Sequence, residues 1–289
     1  MSVTHKTRTL VRACVLACAF IAAAPAAARS IAVNQSTLVQ GMNAAQPGDT
    51  IVLAPGGYGV IAVPRKVWQQ PITIDARAAS MTGIVMFKVS GVNWTGGTII
   101  GSLLGISISN SDRVNITGAD VSGAIKGIVV NNSSDIKLLR NKLHALRSDG
   151  IDVVGQRVLV EGNTITDMRP VAGDHPDGIQ IWSANDEQTR DITVRGNSIT
   201  GASQGIFARA PALGLSNLVV TGNKVFVDYG NGIVLLDTKD SIATGNSVKS
   251  TTNGQFDKAN MRVEGYNNMA CSNVVPDVPK APAAQVCVG

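Results

Sequence analysis

Residues 173–182 read GDHPDGIQIW, and four of their side chains can do chemistry. Asp174 and Asp177 bring carboxylates, and His175 brings an imidazole that exchanges a proton close to neutrality. Gln180 brings an amide suited to hydroxyl groups. Asp149 and Asp152 form a second acidic group in SDGIDV, residues 148–153. Crowded carboxylates raise one another's pKa, and three arrangements relieve the repulsion. Asp149 and Asp177, if about 5 Å apart, can share a proton and act as acid and nucleophile on a glycosidic bond. Asp149, Asp152 and Asp174 can instead hold Ca²⁺, which takes about six to eight oxygens, some from water and substrate. Or a cation, Lys126, Arg169 or Arg209, neutralises them as a structural network. Asp-Gly is also a common turn pair, so Asp149 and Asp177 read as turn residues too. His5 and His144 show no ligand spacing to His175, which argues against zinc.

Residues so distant in sequence act together only if the fold stacks them, and internal repetition does so. Gly-Ile pairs open short strands at 105, 127, 150, 178, 205 and 232, spaced 22, 23, 28, 27 and 27 residues apart. Between them runs a second series, in which an apolar strand meets Gly-Asn at Asn163, Asn197, Asn223 and Asn246. Periods of about 20–50 residues signal solenoids, and alternating β-branched residues make this one a stack of strands rather than helices. Ile151/Val153, Ile179/Ile181, Ile206/Ala208 and Ile233/Leu235 then face inward. The outward ladders are Ser107, Val129, Asp152, Gln180, Phe207, Val234 and Ser109, Asn131, Val154, Trp182, Arg209, Leu236. Lys126, Asp149, Asp177, Gln204 and Asn231 stand just before the glycines. The Gly-Asn pairs suit a repeated tight bend, with asparagines able to bond along a ladder. Longer connections at 167–176 and 183–191 surround the acidic residues, and long loops on a rigid scaffold often carry function. Trp182 lies beside them, placed either to stack on a sugar ring or to pack under the second loop.

The two ends of the chain differ from this middle. Lys6, Arg8 and Arg12, an apolar run at 13–24 and Ala26-Ala27-Ala28 compose a secretory signal peptide over residues 1–28. The run is too short to span a bilayer, so the mature chain is expected to be exported and free of membrane. Removing these residues takes three cations and no acids from a chain of net charge +5, leaving 22 Lys+Arg against 20 Asp+Glu. No basic footprint for nucleic acid remains. Cys271 and Cys287, in an exported chain, are expected to form a disulfide that staples the tail. Leu38, Met42 and Ala45 share one face of a short helix, with Ser36 or Thr37 as N-cap and Pro47-Gly48 as its stop. Such a helix would cover the open sheet edge of the first coil.

With its Gly-Ile repeats and the opening STLVQGMNAAQPGDTIVLAPGGY, the chain resembles the right-handed parallel β-helix proteins of the pectate-lyase-like superfamily. The resemblance covers nearly all of the mature chain. It implies an all-β, single-domain right-handed parallel β-helix over residues 29–265, including an N-terminal capping helix, followed by an irregular tail at 266–289. It also implies an extracellular or periplasmic polysaccharide as partner. The H-x-D-G-I-Q string resembles a motif of bacterial secreted β-helix proteins. Elimination or C5-epimerisation at a uronic acid needs a base and a cation to oppose developing charge. His175 would be the base, Asp177 would orient it or hold the metal, and Arg209 would oppose the charge, helped by Arg169 or Ca²⁺. Gln180, Trp182, Arg169 and Lys126 would bind substrate. RSDGIDV followed by HPDGIQI is similar to the staggered aspartates of polygalacturonase-like hydrolases. Gln204-Gly205 stands where that family has a histidine, and its Arg-x-Lys is missing. A hydrolase using Asp149 and Asp177 and a non-catalytic saccharide-binding β-helix both stay open.

Overall fold

A computed structural model describes residues 27–183, 189–251 and 258–277. The expected signal segment lies almost wholly outside these residues, and Cys287 lies outside them too. The described chain is an all-β parallel solenoid of about ten coils with one short N-terminal helix, as expected. Every strand pairing is parallel, and each coil contributes to three faces. The first face carries the Gly-Ile strands, among them Leu104–Ser109, Asp177–Ile181 and Gln204–Arg209, with the opening parts of Lys126–Leu139, Ile151–Glu161 and Asn231–Lys239. The second face takes the later parts of the long strands together with Asp112–Thr117, Arg190–Arg195 and Leu215–Thr221. Three- and four-residue strands, such as Lys142–His144 and Lys224–Val227, make the third.

Register explains why the isoleucines recur. Ile106, Ile128, Ile151, Ile179, Ile206 and Ile233 are paired partners in successive coils, and all are fully buried. Side chains alternate across a strand, so one fixed register sends the whole set to the core. The preceding glycines are stacked just as tightly. A Cβ on Gly150 would sit 2.5 Å from the Gly178 carbonyl oxygen, and one on Gly205 would sit 2.0 Å from that of Gly232. No side chain fits there.

The asparagine ladder is longer than the four Gly-Asn pairs announce. Asn141, Asn163, Asn197, Asn223, Asn246 and Asn273 form one continuous column. Each Nδ2 donates to the next Oδ1 at 2.9–3.0 Å. The same Nδ2 also donates to a carbonyl of the preceding coil, as Asn197 does to Val160. Each Oδ1 further accepts the backbone N–H of the asparagine before it, as Asn223 does from Asn197. Buried amides are thereby satisfied, which burial demands. The residue before each asparagine takes the positive φ: Gly162, Gly196, Gly222 and Gly245, but also Arg140 and Ser272. The last two broke the Gly-Asn signature and hid two rungs.

The cap is the helix Leu38–Ala44, with Leu38, Met42 and Ala45 buried. Thr37 occupies the N-cap position but makes no capping bond with its side chain. Asn34 organises the entry instead, its Oδ1 accepting from the Ser36 and Thr37 backbones. At the far end the solenoid overruns the expected boundary at 265. Met269–Cys271 pairs with Ile242–Thr244, and Val274 bridges to Ser247. The residues just after 265 are therefore another coil rather than irregular tail, because their apolar and asparagine positions keep the repeat's phase.

Replacing a central rung should be costly. Asn197→Ala removes the acceptor of the buried Asn163 backbone N–H and of one of the two Asn163 Nδ2 hydrogens, the other staying on the Leu138 carbonyl. Unmade buried hydrogen bonds cost roughly 1–3 kcal/mol each, so chemical denaturation should show a loss of at least ~2 kcal/mol relative to the parent chain.

Candidate functional site

Stacking places Lys126, Asp149 and Asp177 in successive coils at the entry to the first face. Asp149 accepts the Asp177 backbone N–H on Oδ1 at 3.0 Å, and its Oδ2 lies 2.7 Å from Lys126 Nζ. Asp152, on the outward side of its strand, brings Oδ2 to 2.5 Å from the same ammonium. Gln180 Nε2 donates to Asp177 Oδ2 at 3.0 Å. The three aspartates are 4%, 3% and 2% exposed, so they lie below the surface rather than on it. Asp152 Oδ1 and Asp177 Oδ1 are buried without a hydrogen-bond partner.

Three carboxyl groups around one ammonium cannot all be charged cheaply. Burial, then the Asp149 and Asp152 charges, push Asp177 up to about 8, with the Gln180 bond and Lys126 opposing the shift. Burial and Asp149 likewise raise Asp152 against the pull of Lys126. Desolvation works against the Lys126 charge, yet the two carboxylates hold the ammonium above its ordinary range. At neutral pH, Asp177 is thus largely a neutral acid, able to give up a proton.

His175 faces a different space. It is exposed on the loop before Asp177 and lines a cavity of about 590 Å³ with Pro170–Asp174, Gln204, Tyr229, Gly230 and Asn231. Asp174 shapes that loop. Its carboxylate accepts from the Val171 backbone at 3.0 Å and pairs with Arg147 at 3.0 Å. Arg147 and the Val171 bond hold the Asp174 pKa down. Across the cavity Asn231 Nδ2 donates to Gln204 Oε1 at 2.7 Å. Burial, then Asp228 and Asp174, raise the Tyr229 phenol. An imidazole, a phenol and two carboxamides in one cavity can bind an oxyanion and move a proton.

Several of the expected site residues have partners of their own in the structure. Of the residues named for calcium, Asp149 and Asp152 both pair with Lys126, and Asp174 pairs with Arg147. Among the described residues no group of three or more His, Cys, Asp or Glu is arranged for a metal ion. Arg209 pairs with Asp237 one coil later at 3.5 Å. Arg169 pairs with Asp167 in its own loop at 2.5 Å. Asp177 is bound to Gln180 and not to His175. Lys126 does neutralise Asp149 and Asp152, the structural network kept open above. Gln180 is half-buried over Asp177, and Trp182 stands 40% exposed. Cys271 is buried in the last strand, and its expected partner, Cys287, lies outside the described residues. Arg147 and Tyr229 escaped the sequence reading because neither sits in the repeat's conspicuous positions. Gln204 and Asn231 did stand in the column before the glycines.

Comparison with known proteins adds a family. The family model described as right handed beta helix region matches residues 56–199 and 104–268. No curated protein sequence matches. Among solved structures, a mannuronic acid specific polysaccharide family 6 lyase from human gut microbiota is similar at 12% identity and a TM-score of 0.61. That alignment covers 87% of this chain and 66% of the lyase. The Dettilon tailspike protein aligns at 14% identity and a TM-score of 0.49, over 83% of this chain and 55% of the tailspike. PfbA, a surface adhesin of Streptococcus pneumoniae, aligns at 10% identity and a TM-score of 0.46, over 79% of each chain. This chain thus spans just under two thirds of that lyase and about half of that tailspike. At such identities the shared property is the fold.

The raised Asp177 has a consequence for stability. Its ordinary value is 3.8 and its folded value about 8, so between these the folded state holds a proton that the unfolded state has lost. Stability therefore falls as pH rises through that window. Denaturation at pH values from about 5 to about 9 should show this loss, and Asp177→Asn should flatten it. An Asp177→Asn profile as steep as the parent's would place the titration elsewhere.

Proposed function

The chain belongs to the right-handed β-helix family, and from that premise we propose an exported polysaccharide-active protein that removes a proton beside the carboxylate of a uronic acid. The cavity that joins His175 to Tyr229, Gln204 and Asn231 carries this reading. His175, exposed and near its chain's polar amides, takes the proton as general base. Gln204 and Asn231 offer amide N–H groups to the uronate carboxylate, whose acidity at the neighbouring carbon rises as its charge is bound. Tyr229 protonates the leaving glycosidic oxygen in an elimination, or returns a proton to the opposite ring face in an epimerisation. The fold shared with a mannuronic acid specific lyase supports a saccharide as substrate class. The signal segment over residues 1–28 belongs to the same proposal, since polymers of this kind lie outside the cytoplasm.

One observation favours hydrolysis as the second reading. Burial and the neighbouring Asp149 and Asp152 charges push Asp177 up to about 8, the direction a general acid at a glycosidic oxygen needs. Asp177 does not line the His175 cavity, so elimination ranks first.

Incubation with oligo- and polyuronates, read by the near-ultraviolet absorbance of unsaturated products, by reducing ends and by NMR, separates the three outcomes. The expected result is unsaturated product or inverted C5, lost about 100-fold or more in His175→Ala, as removal of a general base implies. Reducing ends without unsaturation, lost in Asp177→Asn but kept in His175→Ala, would replace this reading with hydrolysis.

A further inference from the structure

A second opening lies on the first face, away from the His175 cavity. It has a volume of about 660 Å³, and its lining includes Ser107, Ser109, Lys126, Asn131, Asp152 and Trp182. Three properties define what it can hold. Trp182 is the exposed tryptophan of the chain, at 40%, while Trp68 and Trp94 are fully buried. An exposed indole beside polar groups offers an apolar face to the ring hydrogens of a sugar. Second, the lining is rich in groups that exchange hydrogen bonds with hydroxyls: three serines (Ser183 is the third), an asparagine and a carboxylate. Asp152 is 3% exposed and its Oδ1 has no partner, so a buried acceptor at the groove wall awaits a donor, and a vacant acceptor is costly.

The third property is charge. Among the described lining residues Lys126 is the one cation, and it is already held at 2.7 Å by Asp149 and 2.5 Å by Asp152. Asp177 adds a third carboxyl beneath. A carboxylate entering this groove would meet an ammonium whose charge is spent and acceptors that repel it. A hydroxyl meets an acceptor that needs it.

We propose that the Trp182 groove is a second saccharide subsite, selective for a hydroxyl-bearing pyranose without a carboxylate. The ring stacks on Trp182, and one of its hydroxyls donates to Asp152 Oδ1. The groove makes its own demand on the ligand. Combined with the uronate reading of the His175 cavity, on which only this extension rests, it specifies a heteropolymer of uncharged sugars and uronic acids.

Protection of Trp182 fluorescence from acrylamide tests the subsite, because the other two tryptophans are shielded by the core. The probes are neutral gluco-, manno-, galacto-, xylo- and N-acetylglucosamine oligosaccharides, set against oligogalacturonate and oligomannuronate. The expected result is saturable protection by at least one neutral series and none by the uronates. Asp152→Asn should weaken that protection about tenfold or more, the loss that follows when an acceptor facing the ligand is exchanged for an amide. Ser109→Phe, which fills the groove from outside the Lys126 cluster, should abolish it with the circular dichroism unchanged. Equal protection by uronates, no protection by any neutral series, or an unaltered response in both variants would overturn the proposal. His175→Ala should leave the protection intact, so the subsite and the elimination chemistry can fail separately.

Discussion

Everything in this molecule depends on one constraint: each coil must lie on its neighbour in the same register. A single coil buries too little apolar surface to stand alone, and only stacking makes the core continuous. The glycine column lets backbones approach where no Cβ could fit, and the asparagine column returns the hydrogen bonds that the tight bends would otherwise forfeit. These are complementary restraints, one steric and one polar. A slip of one residue would turn the isoleucines outward and leave the amides without partners.

The same register creates the tension at the centre of the first face. Lys126, Asp149 and Asp177 occupy equivalent places in three successive coils, so the fold forces them together. Burying such a group costs free energy that its Coulomb attraction only partly offsets. The chain relieves this by keeping a proton on a carboxyl. The two buried oxygens left without partners mark where relief is incomplete. Features of this kind, unfavourable for stability alone, are common where a surface does chemistry or binds a ligand.

The fold was legible in the sequence because its signals are local and repeated. Gly-Ile gave the strand entry, and β-branched alternation gave inward and outward sides. Arg140-Asn141 and Ser272-Asn273 went unread since the left-handed position there is filled by residues other than glycine. The site was less legible for a physical reason. Register tells which backbone atoms are adjacent, but long side chains choose among several partners within reach. Arg209 lies on the expected ladder yet turns to Asp237, and Asp174 reaches back to Arg147. His175 and Asp177 are two residues apart and serve separate spaces, because Asp177 has entered the strand while His175 is still on the loop.

The asparagine column also has a direction. Within the column the amide-to-amide bonds all run one way, from each Nδ2 between Asn141 and Asn246 to the Oδ1 of the next coil, so its two ends are chemically unlike. A whole coil spliced into the column restores the sequence of donors and acceptors, whatever the length of its loops. The sequence separations between rungs, from 22 to 34 residues, already show this latitude. A fragment of a coil would interrupt the column. Gene duplication in whole-coil units is therefore the change this architecture accepts most readily, and lengthening the binding face is what it would achieve.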